Sequence, residues 1–167
     1  AVQGAKPSSV QGGTAFNAGS QKQYTTREMI KTKRFYIICA VMALAIPAYV
    51  LVNPLMKSLG MERGLTNGQA LAGVVIASFA NIIGRFVMPW LSDKVGCRVV
   101  IRGLYVAATI SVLGLTVARG VLFILFISLV CLMYGGIVSV FPVLVSEHFG
   151  MKYQGMNFGA VMIGYGI

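Results

Sequence analysis

The sequence predicts an all-α integral membrane protein with four complete transmembrane helices and a truncated fifth. Three observations carry that prediction. Hydrophobic residues make up 57% of the 167 residues and charged residues only 11%, with a mean hydropathy of +0.80. A soluble domain carries about 25% charged residues. The apolar residues gather in four long runs, 35–56, 68–91, 99–118 and 121–146. At a rise of about 1.5 Å per residue each run reaches the roughly 30 Å of a bilayer's hydrocarbon. Lys and Arg are unequally shared between the two sides: ten fall on the N-terminal side, and Lys57, Arg63 and Arg119 on the other. By the positive-inside rule the N-terminal segment is cytoplasmic and the chain is multi-pass in a plasma or inner membrane, in contact with lipid.

The elements follow in order. Residues 1–24 begin with AVQGAKPSSVQGGTAFNAGS, rich in Gly, Ser and Ala and almost without charge. Such a segment cannot bury enough apolar surface to fold and reads as a flexible linker. Residues 25–34 (TTREMIKTKR) read as a short amphipathic helix on the membrane surface. Thr25 and Glu28 have capping-box spacing, and Lys31, Lys33 and Arg34 stop at the first apolar run. That run contains Pro47 and Pro54, which membrane helices tolerate at bends. The second is opened by Thr66 and Gln69, again at capping-box spacing. The fourth contains Gly135-Gly136 and Phe141-Pro142. The last run, 155–167, rises only about 20 Å and cannot span. Together with the absence of an initial Met, it suggests a piece of a longer protein whose N-terminal half lies upstream.

One charged side chain lies well inside a run. Arg85 is eight residues from Asp93, about 12 Å along a helix. An Arg at the centre of a membrane helix costs about 2.5–3.5 kcal/mol on insertion scales. It should therefore face protein or a water-filled path, where a cation invites an anionic ligand; the bland alternative is that it snorkels to the interface. At 100° per residue, Ser78, Asn81 and Arg85 share one sector of the helix. Gly73, Ala77, Ala80 and Gly84 share another, a small-residue face of the kind that admits a close neighbour. A helix with one polar side and one packing side suits a cavity wall.

Other candidates are sparser. Tyr49 and Asn53 are four apart on the first run, and Tyr134 adjoins Gly135-Gly136. Any of them can line a cavity or simply pack. Asp93, Lys94, Gly96 and Arg98 form a short charged loop between two spans. Gly96 permits a tight turn, and Asp93 can accept from a helix N-terminus or pair with Arg98, so the four can latch one conformation of a moving bundle. Glu147-His148 reads as an interfacial pair. Cys39, Cys97 and Cys131 form no C-x-x-C pair and imply neither a disulfide framework nor zinc. No cofactor or metal is expected. The +10 charge is mostly topological, because the chain has no basic, aromatic-bearing soluble face to take nucleic acid. With four acids, one His and no acid inside a span, an enzyme reading has no nucleophile–base pair or paired acids to rest on.

The charged loop, PWLSDKVGCR, resembles the major facilitator superfamily motif in which Gly-x-Leu-x-Asp-Arg/Lys-x-Gly precedes basic residues. It departs at Pro89, where the motif has Gly, and at Cys97, where it has a basic residue. Residues 24–36 (YTTREMIKTKRFY), residues 81–98 (NIIGRFVMPWLSDKVGCR) and the GG, FP, HFG and GMNFG elements of 134–166 resemble the oxalate/formate antiporter-like branch. The resemblance covers about residues 22–167. It implies part of a six-helix half-bundle, from the central loop into helix eleven of a twelve-helix carrier of small carboxylates working by alternating access. Arg85 matches a helix-eight Arg that binds the substrate carboxylate in that branch. Dicarboxylate carriers of the branch add a Lys on helix eleven within Thr-Ala-Lys-Gly. The corresponding stretch here is Ile163-Gly164-Tyr165-Gly166, which has no second cation. A desolvated second carboxylate would go unpaired, which favours a monocarboxylate such as formate or lactate over oxalate. The expected substrate-binding set is thus Arg85, Asn81, Ser78, Tyr49, Tyr134 and Tyr165, facing a small organic anion. The competing reading is a small tetraspan protein that oligomerises as a channel or scaffold.

Overall fold

The computed structural model describes residues 23–166; the side chains of residues 46, 48 and 164–166 fall outside the description. Seven α-helices follow one another: α1 (Thr26–Ile30), α2 (Lys33–Val52), α3 (Met56–Glu62), α4 (Asn67–Val95), α5 (Cys97–Val117), α6 (Val121–Phe149) and α7 (Gln154–Gly166). Four stretches among the described residues are long and apolar enough to cross a membrane: Lys33–Glu62, Asn67–Val95, Cys97–Val117 and Val121–Phe149. The all-α membrane architecture is the expected one, with α7 as the shorter fifth helix.

The helices overrun the apolar runs at several ends. The first span continues past residue 56 through a 3-10 turn at Asn53–Leu55 into α3, so that Lys33–Glu62 is one span. Pro54 lacks an N–H, which breaks the α ladder and tightens that turn. α4 runs to Val95 rather than 91, and α6 to Phe149 rather than 146. Apolar length measures the hydrocarbon crossed, whereas a helix ends only at a stop signal. Both stop at a glycine, Gly96 and Gly150. The expected loop after residue 91 thus shrinks to Gly96 alone, whose φ of 91° is open to glycine and costly for other residues.

The surface helix is also shorter than 25–34. Glu28 accepts from the backbone N–H and the hydroxyl of Thr25, at 2.9 and 2.8 Å, and starts α1. α1 ends at Ile30, and Thr32 is the N-cap residue of α2. Met29 is fully buried while Ile30 stays exposed. The linker expected over 1–24 lies almost wholly outside the described residues.

α6 is the central helix and packs most extensively on α4. Two apolar clusters fill the interior. One joins α1, α2, α5, α6 and α7 around Met29, Met42, Phe141 and Phe149. The other joins α3, α4 and α6 around Met56, Ala77, Ile127 and Cys131. At the end away from α1, the Arg63 guanidinium donates to the carbonyls of Leu115, Thr116 and Ala118 at 2.8–3.1 Å. These are carbonyls that the last turn of α5 leaves without helical partners. Midway along the bundle the Tyr105 hydroxyl donates to the Val41 carbonyl at 2.6 Å, tying α5 to α2.

Candidate functional site

The site is built where α2, α4 and α6 meet. α4 and α6 touch backbone to backbone there. A Cβ at Gly84 would sit on the Leu132 carbonyl oxygen, and one at Gly135 on the backbone carbonyl oxygen of Asn81. Only glycine leaves room for that approach. Gly73, Ala77 and Gly84 of the expected packing face are buried, and Ala80 is half-buried.

The seam is turned toward the polar stripe. Asn81 is buried inside it, with 8% of its surface exposed, instead of sharing an open face with Ser78. Its Nδ2 donates to the Cys131 carbonyl of α6 at 3.0 Å. Its Oδ1 accepts from Arg85 Nε at 3.1 Å. The orientation of the Asn81 amide follows from chemistry: a carbonyl only accepts, so the NH₂ must face Cys131 and the oxygen must face Arg85. Arg85 itself is exposed on this part of the bundle. Helical arithmetic placed Asn81 about 60° from Gly84 and about 40° from Arg85. It was legible as polar, but which neighbour would cover it was not.

The two tyrosines meet. Tyr49 of α2 and Tyr134 of α6 stack with ring centroids 3.8 Å apart and planes 8° from parallel. Tyr134 adjoins Gly135, which meets the Asn81 backbone, so the stacked tyrosines and the Asn81–Arg85 pair lie along one seam. A cation with a directed edge beside two stacked phenols can hold a small planar anion. Ser78 is exposed and its hydroxyl donates to the Val74 carbonyl at 2.8 Å, so its hydrogen is already committed. Asn53 falls in the 3-10 turn and is exposed. The side chain of Tyr165 lies outside the described residues.

The charged stretch at the α1 end is arranged differently from the expected loop. Asp93, Lys94 and Arg98 all lie on helices, on either side of Gly96. Lys94 Nζ sits 3.8 Å from the centroid of the Trp90 ring, a cation–π contact. Arg98 Nη2 lies 3.4 Å from His148 Nε2 on α6, and that contact takes the place of a pair with Asp93. His148 Nδ1 lies 3.0 Å from the Leu144 carbonyl, so Nδ1 carries the hydrogen and Nε2 is the acceptor for Arg98. Asp93 and Glu147 instead line a cleft of about 450 Å³ with Ser92, Ser146 and Gln154.

Asn157 was missed as a residue. It is fully buried, and its amide holds the segment before α1: Nδ2 donates to the Tyr24 carbonyl at 3.2 Å, and Oδ1 accepts from the Thr26 hydroxyl at 3.0 Å. A polar residue inside the apolar stretch GMNFG was the available signal. Among the described residues no cluster of His, Cys, Asp and Glu is arranged to hold a metal ion.

Residues 4–167 match the Major Facilitator Superfamily, and the chain belongs to that family. Over 157 residues it is 29% identical to an uncharacterised MFS-type transporter, YhjX, of Escherichia coli strain K12. The alignment covers 90% of this chain and 38% of that protein. The chain thus spans well under half the length of the relative it matches.

Proposed function

We propose that the full-length protein is a secondary transporter that moves small monocarboxylates, formate or lactate in kind, by alternating access. The observation that carries the proposal is Arg85, a guanidinium inside a spanning helix, held by a buried Asn, with a stacked pair of tyrosines farther along the same seam. A membrane interior tolerates that cation when it faces protein or a water-filled path, and there its natural ligand is an anion. The other wall of the path comes from the upstream half of the protein. The α1 end faces the cytoplasm, as the Lys and Arg distribution requires. The oxalate/formate antiporter-like features of the sequence point to the carboxylate class. The absence of a Lys in Ile163-Gly164-Tyr165-Gly166 points to a single carboxylate.

Uptake by the full-length protein in proteoliposomes tests this. Arg85→Ala and Arg85→Lys should each abolish carboxylate uptake, because a lysine ammonium cannot reproduce the planar two-donor edge. Normal uptake by the Ala variant removes Arg85 from the site. Counterflow showing tight oxalate selectivity overturns the monocarboxylate assignment.

A further inference from the structure

We infer that Asn81 is a positioning residue that sets how Arg85 presents itself: it occupies the Nε–H edge and leaves the two Nη groups for an end-on carboxylate. The inference rests on the carboxylate reading above. A guanidinium offers five N–H donors and two faces for a carboxylate, a side-on face using Nε with one Nη, and an end-on face using both Nη groups. The Nε–H is already given to Asn81 Oδ1 at 3.1 Å. Asn81 cannot turn its oxygen away, because its NH₂ is tied to the Cys131 carbonyl at 3.0 Å. The Asn81 backbone is packed directly against α6, its carbonyl oxygen standing where a Cβ of Gly135 would be. The chain of constraint runs from the α6 backbone through one buried amide to the cation. Side-on recognition is closed while this chain holds. A carboxylate that binds must lie along the Arg85 axis, with its substituent pointing away from α4.

Asn81 is neutral, so it orients the cation without cancelling its charge.

The test is a double-mutant cycle in the full-length protein in proteoliposomes, with formate, acetate, lactate and oxalate as probes. Arg85→Lys removes the Nε–H edge, Asn81→Ala removes its acceptor, and the pair is combined. For the best-transported probe, Asn81→Ala should raise KM on the order of tenfold in the Arg85 background, the loss expected for a hydrogen bond to a charged group, with little change in kcat. In the Arg85→Lys background, assayed by equilibrium binding of the same probe, Asn81→Ala should add almost nothing, because no guanidinium remains to be oriented. Asn81→Asp should be worse than Asn81→Ala although it is closer in shape, because its carboxylate neutralises Arg85. A purely structural Asn81 gives the reverse order, Ala worse than Asp, and the same loss in both backgrounds; either result overturns the inference and leaves the carboxylate reading standing. Failure of both Asn81 variants to fold, while Arg85→Lys folds, likewise makes Asn81 a packing residue only. If Arg85→Lys leaves KM unchanged, or none of the four probes is taken up, the carboxylate reading falls and the inference with it.

Discussion

The α4–α6 seam and the clamp at the α1 end hold the bundle by opposite means. The seam is a contact of absence: Gly84 and Gly135 carry no side chain, and the two backbones meet where one would have been. The clamp is a contact of polar groups. The Phe149 carbonyl accepts from the Tyr24 N–H at 3.0 Å, Gln23 Oε1 accepts from the Lys152 N–H at 3.0 Å, and Asn157 grips Tyr24 and Thr26. Tyr24 packs edge-on against Phe149 with centroids 5.8 Å apart. In lipid, apolar surface gives no drive for helices to associate, so close packing and interhelical hydrogen bonds must supply it. The seam does so in the middle of the span. The clamp sits at the end of the bundle, where the exposed Gln23–Lys152 bond has water as a competitor while the Asn157 side chain is buried. The two regions should therefore respond very differently to a single substitution.

The largest effect is expected at the seam. Gly84→Leu drives a side chain into the Leu132 carbonyl, and neither backbone can yield without separating α4 from α6. Overpacking a close contact costs about 1–3 kcal/mol, and a backbone obstruction belongs at or above the top of that range. The variant should lose its thermal transition in detergent or elute as aggregate. A transition within a few degrees of the parent would show that the seam can open at little cost, and would remove the constraint on Asn81.

A smaller effect is expected at the clamp. Asn157→Ala leaves the Tyr24 carbonyl and the Thr26 hydroxyl without their partner, at about 1–3 kcal/mol for a buried group left unsatisfied. The loss should be local. Amide hydrogen exchange over residues 23–30 should accelerate while α4 and α6 keep their protection. Acceleration in α4 as well would mean that the clamp and the seam are one cooperative unit.

The difference between the regions is also a difference in legibility. The seam was readable because its residues recur along one helix: Gly73, Ala77 and Gly84 mark a face by their period alone. The polar stripe was readable for the same reason, and Arg85 stood out through the cost of a charge in an apolar run. What periodicity cannot supply is the partner. It gave Asn81 to the stripe, whereas α6 covers it and brings the Cys131 carbonyl, a backbone group with no sequence signature. Tyr49 and Tyr134 were each visible as isolated polar aromatics, but their stacking joins residues 85 positions apart. The clamp joins Tyr24 to Asn157 across 133 residues. Its members were visible only as fragments of family-like motifs. Helix ends are legible where a glycine or a capping pair marks them, whereas the apolar run 68–91 stops four residues short of the end of α4 at Val95.

The smallest effect is expected at the Arg98–His148 contact, which lies at the same end as the clamp but outside it. The pair is 3.4 Å apart and Arg98 is exposed, so the coupling energy should fall within the roughly 0.2–1 kcal/mol of surface charge pairs. A double-mutant cycle with Arg98→Ala and His148→Ala, read by thermal unfolding in detergent, measures it. A coupling above about 2 kcal/mol, beyond what an exposed pair supplies, would mean that this contact, and not the Asn157 clamp, fastens the end of α6.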